Sequence, residues 1–234
     1  MIRAVFFDWF NTLAYYEPPR ENLVSQAFKE VGIDIAPDAA GRGLLIADRN
    51  YIQENILSPI RERSPEEQTK AYTRYQKTIL AEAGISAPDE LLLKVMGRLQ
   101  ELYSGMTFAL FDDVLPTLKT LKERKLTMGL LTNLQSEISP ICEKLGVTPY
   151  LDFIVTSKEA GADKPEPPIF RLALERAGVD APDVIHVGDQ YGLDVAGARR
   201  AGINPILIDR SDIYPDVDDC PRIHGLDELN EYLT

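Results

Sequence analysis

Two aspartates stand directly after apolar stretches of the sequence, and a third lies close behind the second. Asp8 follows the apolar residues 2–7, and Asp189 follows residues 184–188, with Asp194 five positions further on. If the two stretches are neighbouring parallel strands, their carboxyl ends meet at the sheet edge where open α/β folds bind ligands. Carboxylates about 4 Å apart repel each other by roughly 4 kcal/mol per pair at an effective dielectric of about 20. The spacing therefore predicts a bound cation, and oxygen ligands with room for water favour Mg²⁺.

Four further polar residues have positions suited to holding an anion at the same edge. Lys164 lies in a proline-rich loop directly before a predicted helix, where it can pair with Asp8 and with a phosphate oxygen. Thr132 and Asn133 end another apolar stretch and can donate hydrogen bonds to such oxygens, and Thr12 adds a hydroxyl close to Asp8. Asn11 belongs to a residue type that tolerates positive φ, so a sharp turn is expected there.

The elements that must position these side chains alternate in type through the C-terminal half of the sequence. Short apolar runs are separated by segments with helical periodicity that end at glycine, a pattern typical of a parallel sheet covered by helices. The fold class predicted is α/β, with a doubly wound, Rossmann-like parallel sheet. Strands are predicted at residues 2–7, 126–132, 153–156, 184–188 and 205–208, and helices at 136–145, 167–177 and a segment ending at residue 201.

Between the first strand and the rest of this pattern lies a long segment with helical periodicity and almost no strand-like runs. It divides into four blocks at residues 22–31, 39–57, 64–84 and 88–103, and the third begins with a capping-box pattern that places Pro65 at the first helical position. Short connections favour a helical bundle. The domain organisation predicted is an α/β core of residues 1–14 and 106–234 with a helical insertion of residues 15–105.

Composition restricts partners and location. The 234 residues carry a net charge of −12, which disfavours nucleic acid and anionic membranes as main partners. No apolar run approaches the roughly 20 residues that span a bilayer, and we expect no signal peptide. Cys142 and Cys220 have neither metal-binding nor redox spacing, so buried or incidental thiols and a cytoplasmic location are expected. The acidic residues 209–219 are expected to form a solvated connection.

Together these motifs resemble the haloacid dehalogenase-like hydrolase superfamily, in the subclass with a helical cap inserted after the first motif. The resemblance covers nearly the whole chain except the cap, and the flanking residues 113–119 and 194–202 agree as well. Its four motifs occur in order: Asp-Trp-Phe-Asn-Thr-Leu at 8–13, Leu-Leu-Thr-Asn at 130–133, Asp-Lys-Pro-Glu-Pro-Pro-Ile-Phe at 163–170, and Gly-Asp at 188–189 with Asp194.

The resemblance implies a phosphatase that acts on a small phosphorylated metabolite. By it, Asp8 is the nucleophile that forms an aspartyl-phosphate, Thr132 binds the phosphoryl group, and Lys164 steadies both the nucleophile and the developing charge. The implied Mg²⁺ ligands are Asp8, Asp189 and the carbonyl oxygen of Phe10, with Asp194 in support. The remaining implied substrate-binding residues are Thr12, Asn133 and Arg20.

Phe10 departs from the family pattern. Phosphatases of this superfamily usually carry there a second aspartate, which protonates the leaving group; phenylalanine cannot transfer a proton. Its hydrolytic dehalogenases carry an aromatic residue at this position, so a metal-independent 2-haloacid dehalogenase is one alternative. Candidate halide or carboxylate binders for that reaction are Arg20, Arg42 and Arg49. The Asp189–Asp194 pair weighs against it, because bare carboxylates repel a haloacid.

A second alternative is a weakly catalytic or non-catalytic protein that binds a phosphorylated ligand or a partner. Phe10 permits this function, although the presence of Asp8, Lys164 and Asp189 favours chemistry. The cap residues expected near the site are Tyr15, Tyr16 and Arg20.

Overall fold

The computed structural model describes residues 1–134 and 137–233 of the chain. The chain forms two compact units, one made of Met1–Tyr15 and Ala109–Thr234 and the other of Tyr16–Phe108. Each unit has its own hydrophobic core. The sequence pattern places the two boundaries at 14/15 and 105/106.

The unit Tyr16–Phe108 is helical. Its core includes Val24 and Phe28 with leucines, isoleucines and valines from all four helices. The third helix begins with the predicted capping box, in which Ser64 accepts a hydrogen bond from the Glu67 amide and the Glu67 carboxylate accepts one from the Ser64 amide. The helices are α1 (Arg20–Glu30), α2 (Pro37–Leu57), α3 (Pro65–Ala81) and α4 (Asp89–Tyr103).

The other unit contains a six-stranded sheet in which every paired strand is parallel, in the order β5-β4-β1-β6-β7-β8. The predicted α/β fold class with a doubly wound parallel sheet is confirmed. Two short strands, β2 and β3, pair with each other where the chain passes between the units. The strands are β1 (Ala4–Phe7), β2 (Ala14–Glu17), β3 (Thr107–Leu110), β4 (Thr127–Thr132), β5 (Phe153–Thr156), β6 (Val184–Gly188), β7 (Asn204–Ile208) and β8 (Arg222–Ile223).

The central strand β1 is covered on both faces. Its four residues are fully buried and alternate between the faces, with Ala4 and Phe6 in a cluster with residues of two following helices. The chain leaves β1 toward β4 and β5 on one side and places β6, β7 and β8 on the other. Strand order therefore reverses at β1, which is where open α/β sheets form their ligand crevice. The helices are α5 (Val114–Glu123), α6 (Ser139–Lys144), α7 (Ser157–Ala160), α8 (Pro167–Ala177) and α9 (Ala196–Arg200).

Several elements differ from the sequence prediction. The helix predicted at 136–145 is shorter, since α6 spans Ser139–Lys144; Ser136 itself lies outside the described residues. The helix predicted before residue 201 begins as one turn of π-helix at Tyr191–Val195 and continues as α9. The pattern did not predict α5, α7, β2, β3 or β8, most of which are too short to show periodicity.

The prediction of a solvated acidic connection is wrong for Asp209. This residue is 2% exposed, and its carboxylate accepts hydrogen bonds from the Ile213 and Tyr214 amides and from Arg222. A buried carboxylate is stable here because backbone N–H groups and a guanidinium replace water. Cys142 is buried and Cys220 partly buried, and both are free thiols. Among the described residues, no helix has both the length and the apolar character that crossing a membrane requires.

Candidate active site

The strand register places the candidate nucleophile beside the other motif residues. Phe7, the last residue of β1, pairs with Leu130 of β4 and with Val187 of β6. Asp8 therefore leaves the sheet between these two strands, and its amide donates to the Val187 carbonyl at 2.9 Å. The chain then turns at Asn11, whose φ of 58° confirms the expected left-handed turn. Asp8 is 8% exposed at this edge.

Lys164 links the first motif to the last. Its Nζ lies 2.5 Å from Asp8 Oδ1, 2.7 Å from Asp194 Oδ1 and 3.3 Å from the Leu131 carbonyl oxygen, so all three ammonium hydrogens have acceptors. The side chain is almost fully buried. Burial opposes the charged form, but Asp194 and Asp8 outweigh it and raise the pKa of Lys164 above its ordinary value. Lys164 is therefore a permanent cation in contact with the candidate nucleophile.

The backbone of Lys164 is held by Asn133. Asn133 Nδ2 donates to the Lys164 carbonyl at 3.1 Å, and the Lys164 backbone amide donates to Asn133 Oδ1 at 2.7 Å. Thr132 is buried and its hydroxyl accepts from the Leu134 amide at 3.2 Å, while the Thr12 hydroxyl donates to Asp8 Oδ2 at 3.3 Å. These residues shape the site around Asp8 and Lys164; their binding of a phosphate stays a prediction.

The three aspartates form one acidic cluster. A carboxylate oxygen from each of Asp8, Asp189 and Asp194 lies within 4.8 Å of the other two. Asp189 accepts hydrogen bonds from Gln190 Nε2 at 2.6 Å and Asn11 Nδ2 at 3.4 Å, which orient it. Closely spaced carboxylate oxygens are the donors that hard divalent cations prefer. The cluster therefore fits Mg²⁺; whether the Phe10 carbonyl completes the ligand set stays a prediction.

Burial and neighbouring carboxylates raise the pKa values of two of the three aspartates in the cluster. Burial raises the pKa of Asp189 well above its ordinary value, and the charges of Asp8 and Asp194 raise it further. Burial also raises the pKa of Asp8, with Lys164 acting in the opposite direction and Asp194 adding to the rise. Carboxylates in this situation are stabilised by an additional cation, because it removes the mutual repulsion.

Asp194 is the most tightly held member of the cluster. It is 1% exposed, and besides Lys164 it accepts hydrogen bonds from His186 Nε2 at 2.9 Å and from the Gln190 amide at 3.1 Å. Burial acts to raise its pKa, but Lys164 and His186 outweigh that effect and hold the pKa at about 2. A Cβ atom on Gly188 would lie 2.2 Å from Asp194 Cγ, so only glycine leaves room for this side chain.

Sequence reasoning missed Arg210. Its Nη2 donates to the Thr12 carbonyl at 2.9 Å, and its two Nη atoms donate to both carboxylate oxygens of Asp113 at 2.9 Å. The guanidinium also lies over the Phe111 ring, 3.9 Å from its centre. Arg210 thus fixes the loop that follows Asp8. A partner 198 residues away leaves no local signal in the sequence.

Arg20 belongs to the helical unit, where it is part of an ion-pair network. It donates to both oxygens of Asp48, at 2.7 and 3.1 Å, and to the Tyr75 hydroxyl at 2.7 Å. Tyr75 in turn donates to Asp48. Arg42 and Arg49 are exposed on α2. The proposed contacts of these three arginines with substrate stay predictions.

Tyr15 and Tyr16 fall on opposite sides of the boundary between the units. The ring of Tyr15 lies 5.0 Å from that of Phe111 within the α/β unit, and the ring of Tyr16 stacks on Phe108 at 4.7 Å within the helical unit. Their expected proximity to a substrate also stays a prediction.

Comparison with known proteins identifies the family. A family model described as haloacid dehalogenase-like hydrolase matches residues 2–202. The chain belongs to this family. The matched range includes all four motifs that converge on Asp8. The role of the acidic cluster and Lys164 as the active site stays a prediction.

Relatives of the chain include proteins named for phosphatase and for dehalogenase activity. The haloacid dehalogenase-like hydrolase domain-containing protein 3 of Danio rerio is 29% identical over 232 residues, 98% of this chain and 94% of the relative. A glyceraldehyde 3-phosphate phosphatase of Methanopyrus kandleri is 31% identical over 244 residues, 100% of this chain and 96% of the relative. The solved structure of a 2-haloacid dehalogenase from Pseudomonas syringae is 26% identical with a TM-score of 0.57, covering 100% of this chain and 98% of that one.

Proposed function

We propose that this hydrolase is a magnesium-dependent phosphatase that acts on a small phosphorylated metabolite through an aspartyl-phosphate on Asp8. The observation that carries the proposal is the position of Lys164 Nζ, which lies 2.5 Å from Asp8 and 2.7 Å from Asp194. Asp189 lies in one cluster with these two aspartates. A carboxylate nucleophile, a permanent cation against it and an acidic pair suited to a divalent ion are the components that phosphoryl transfer needs. The similarity to a named phosphatase supports the same activity.

Asp8 is the nucleophile in this proposal. Its two oxygens are held by Lys164 and Thr12, so the carboxylate has a defined orientation before substrate arrives. A carboxylate oxygen of Asp8 attacks phosphorus, the ester P–O bond breaks, and the alkoxide or phenoxide leaves. Water then attacks the aspartyl-phosphate, which releases inorganic phosphate and restores Asp8. Lys164 stays charged throughout and lowers the energy of the additional negative charge.

The residues that would hold Mg²⁺ are Asp8, Asp189 and the carbonyl oxygen of Phe10. Asp194 supports them, since its contacts with Lys164 and His186 fix it beside the other two carboxylates. When bound, the ion neutralises the acidic cluster and polarises a phosphoryl oxygen. Without such a cation, the three carboxylates would repel an anionic substrate.

Because Phe10 cannot donate a proton, the leaving group has to depart as an anion. General acid catalysis typically contributes about 10²–10⁴ in rate, and Phe10 cannot provide it. We therefore expect 4-nitrophenyl phosphate and acetyl phosphate to react much faster than a primary alkyl phosphate, because nitrophenolate and acetate leave without a proton.

The experiment that tests this proposal measures Mg²⁺-dependent phosphate release across that ester series, for wild type and for Phe10→Asp. The variant should accelerate the alkyl ester selectively, by up to about 10²–10⁴. Phe10→Leu is the matched control, since it removes the ring without adding an acid, and it should leave the ester preference unchanged. Equal rates across the series for wild type would contradict this account of Phe10.

A 2-haloacid dehalogenase is the second candidate, favoured by the aromatic residue at position 10 and by the similarity to the Pseudomonas syringae structure. A halide needs no proton to leave. This function predicts chloride or bromide release from 2-haloacids that a chelator does not affect, with no phosphate release. A protein that only binds a ligand would turn over neither substrate class, with or without Mg²⁺.

A further inference from the structure

His186 is a fully buried histidine in direct contact with the catalytic network. It lies on β6, paired in the sheet with Phe6 of β1, and its ring meets the ring of Phe170 edge-on at 5.2 Å. Its Nε2 is 2.9 Å from Asp194 Oδ1. Packing in the core alone would account for the ring contact with Phe170. It would not account for the contact between Nε2 and Asp194 Oδ1, the oxygen that also binds Lys164.

The hydrogen bond determines which ring nitrogen carries the proton. Nε2 faces a carboxylate oxygen, which can only accept, so Nε2 must donate. The other nitrogen of His186, Nδ1, is buried and has no hydrogen-bond partner among the described residues. A lone pair without a donor is tolerated there better than an N–H without an acceptor, so the packing also favours the Nε2–H form.

His186 and Lys164 donate to the same oxygen, Oδ1 of Asp194, while the Gln190 amide donates to the other oxygen. We propose that His186 is a positioning residue: by fixing Asp194 Oδ1 it sets the place of Lys164 Nζ against Asp8. The chain of contacts runs from His186 through Asp194 and Lys164 to the nucleophile, each link 2.9 Å or shorter. The effect of His186 on turnover rests on the proposed phosphatase function, whereas the hydrogen bond between His186 and Asp194 does not.

The hydrogen bond can be tested without any turnover. The chain has two histidines, and the second, His224, is exposed. Two-bond ¹H–¹⁵N spectra of histidine-labelled protein at neutral pH in the presence of a chelator give the tautomer of each ring. A His224→Gln variant assigns the remaining signal to His186. We expect a single Nε2–H tautomer for His186; an Nδ1–H tautomer or a rapidly exchanging mixture would overturn the proposal.

The kinetic test uses two substitutions that separate packing from hydrogen bonding. His186→Phe keeps a ring against Phe170 but removes the donor, and His186→Gln keeps an N–H donor at similar reach. Partners of this kind typically contribute about 10–100-fold to activity. We expect His186→Phe to lower kcat by that factor with KM nearly unchanged, and His186→Gln to recover most of the loss. Equal losses in the two variants would indicate packing alone and contradict the proposal.

A double-mutant cycle tests the route through Asp194. In an Asp194→Asn background, His186→Phe should cost little further activity, because the contact it acts through is already altered. Full additivity would overturn the proposal. If wild type releases no phosphate from any ester, the proposed function is wrong. The tautomer measurement still shows whether His186 donates a hydrogen bond to Asp194. The same measurement on wild type decides it if His186→Phe does not fold.

Discussion

Both units of this protein contain a hydrogen-bonded network of charged side chains, and the two networks differ in charge balance. In the α/β unit, Lys164 pairs with Asp8 and Asp194, and Asp189 lies in the same cluster as these two aspartates, which leaves a formal charge of −2. In the helical unit, Arg20 pairs with Asp48 and both contact the neutral Tyr75, which leaves a formal charge of zero. Sequence patterns show charged residues in both places; only the contacts show which charges are compensated.

The difference separates a network whose charges are balanced from one with uncompensated negative charge. Burial disfavours the charge on Arg20, but Asp48 and Tyr75 outweigh it and raise the pKa of Arg20 well above its ordinary value. The helical network is therefore complete as it stands. In the acidic cluster, burial and like charges raise the pKa of Asp189, so this group gains from an added cation. A buried cluster with uncompensated charge is a better indicator of a binding site than a buried ion pair.

The largest effect is expected for Asp8→Asn. The amide cannot form the phosphoenzyme, so phosphate release should fall by at least about 10³-fold. Stability should not fall, because the change removes one charge from an overcrowded cluster and Lys164 keeps Asp194 as a partner. Initial rates with 4-nitrophenyl phosphate and urea unfolding in chelator measure the two quantities. Near-normal activity would exclude Asp8 as the nucleophile.

Metal binding should stabilise the α/β unit through Asp189. Mg²⁺ at about 100 times its Kd should add about 2.7 kcal/mol to the free energy of unfolding of wild type. In Asp189→Ala the stabilisation by Mg²⁺ should be close to zero, because one of the charged ligands is gone. Titration calorimetry with Mg²⁺, together with thermal unfolding with and without the ion, provides the measurement. Equal Mg²⁺ affinity in wild type and variant would place the metal elsewhere.

Breaking the balanced network should lower the stability of the helical unit. Asp48→Asn leaves the Arg20 guanidinium without its carboxylate, and since both side chains are partly exposed the loss should be about 2 kcal/mol in the free energy of unfolding. Glu90→Gln is the control, because its ion pair with Lys94 is exposed, and it should change stability by less than about 0.5 kcal/mol. Similar losses in both variants would mean that the network around Arg20 stabilises the fold no more than an exposed ion pair does.

The smallest effect is expected for Gly97→Ala in α4. Gly97 is exposed in mid-helix, and a Cβ atom there would meet no other atom within 4 Å, so alanine should stabilise the helical unit by about 0.5–1 kcal/mol. Gly43 of α2 is the contrasting position, because a Cβ atom there would lie 2.6 Å from the Ile79 carbonyl oxygen and should destabilise the unit. Urea unfolding of the two variants measures both. Loss of stability in Gly97→Ala would contradict the open environment of that position.

The secondary structure was predictable where periodicity is strong. The strands Phe153–Thr156 and Val184–Gly188 and the helix Pro167–Ala177 have the bounds that the sequence pattern predicts. Apolar runs mark the strands, while a proline at the start and Gly178 directly after the end mark the helix. The short strands β2 and β3 were not predicted, because they pair only with each other and lie outside the alternation of strands and helices that identified the other strands. The π-helical turn at Tyr191–Val195 also has no sequence signature of its own; it coincides with the segment that brings Asp194 over Gly188.

The parallel α/β fold, its family and the four motifs could all be predicted from the sequence, because each depends on residue types at short spacing. The pairing of the charges could not be predicted in this way, because it depends on contacts between distant segments. Lys164 bridges Asp8 and Asp194, Asn133 holds the backbone of Lys164, and His186 joins the network from inside a strand. These contacts join residues 8 to 156 positions apart, and the balance between burial and pairing that sets each pKa exists only where the chain brings them together.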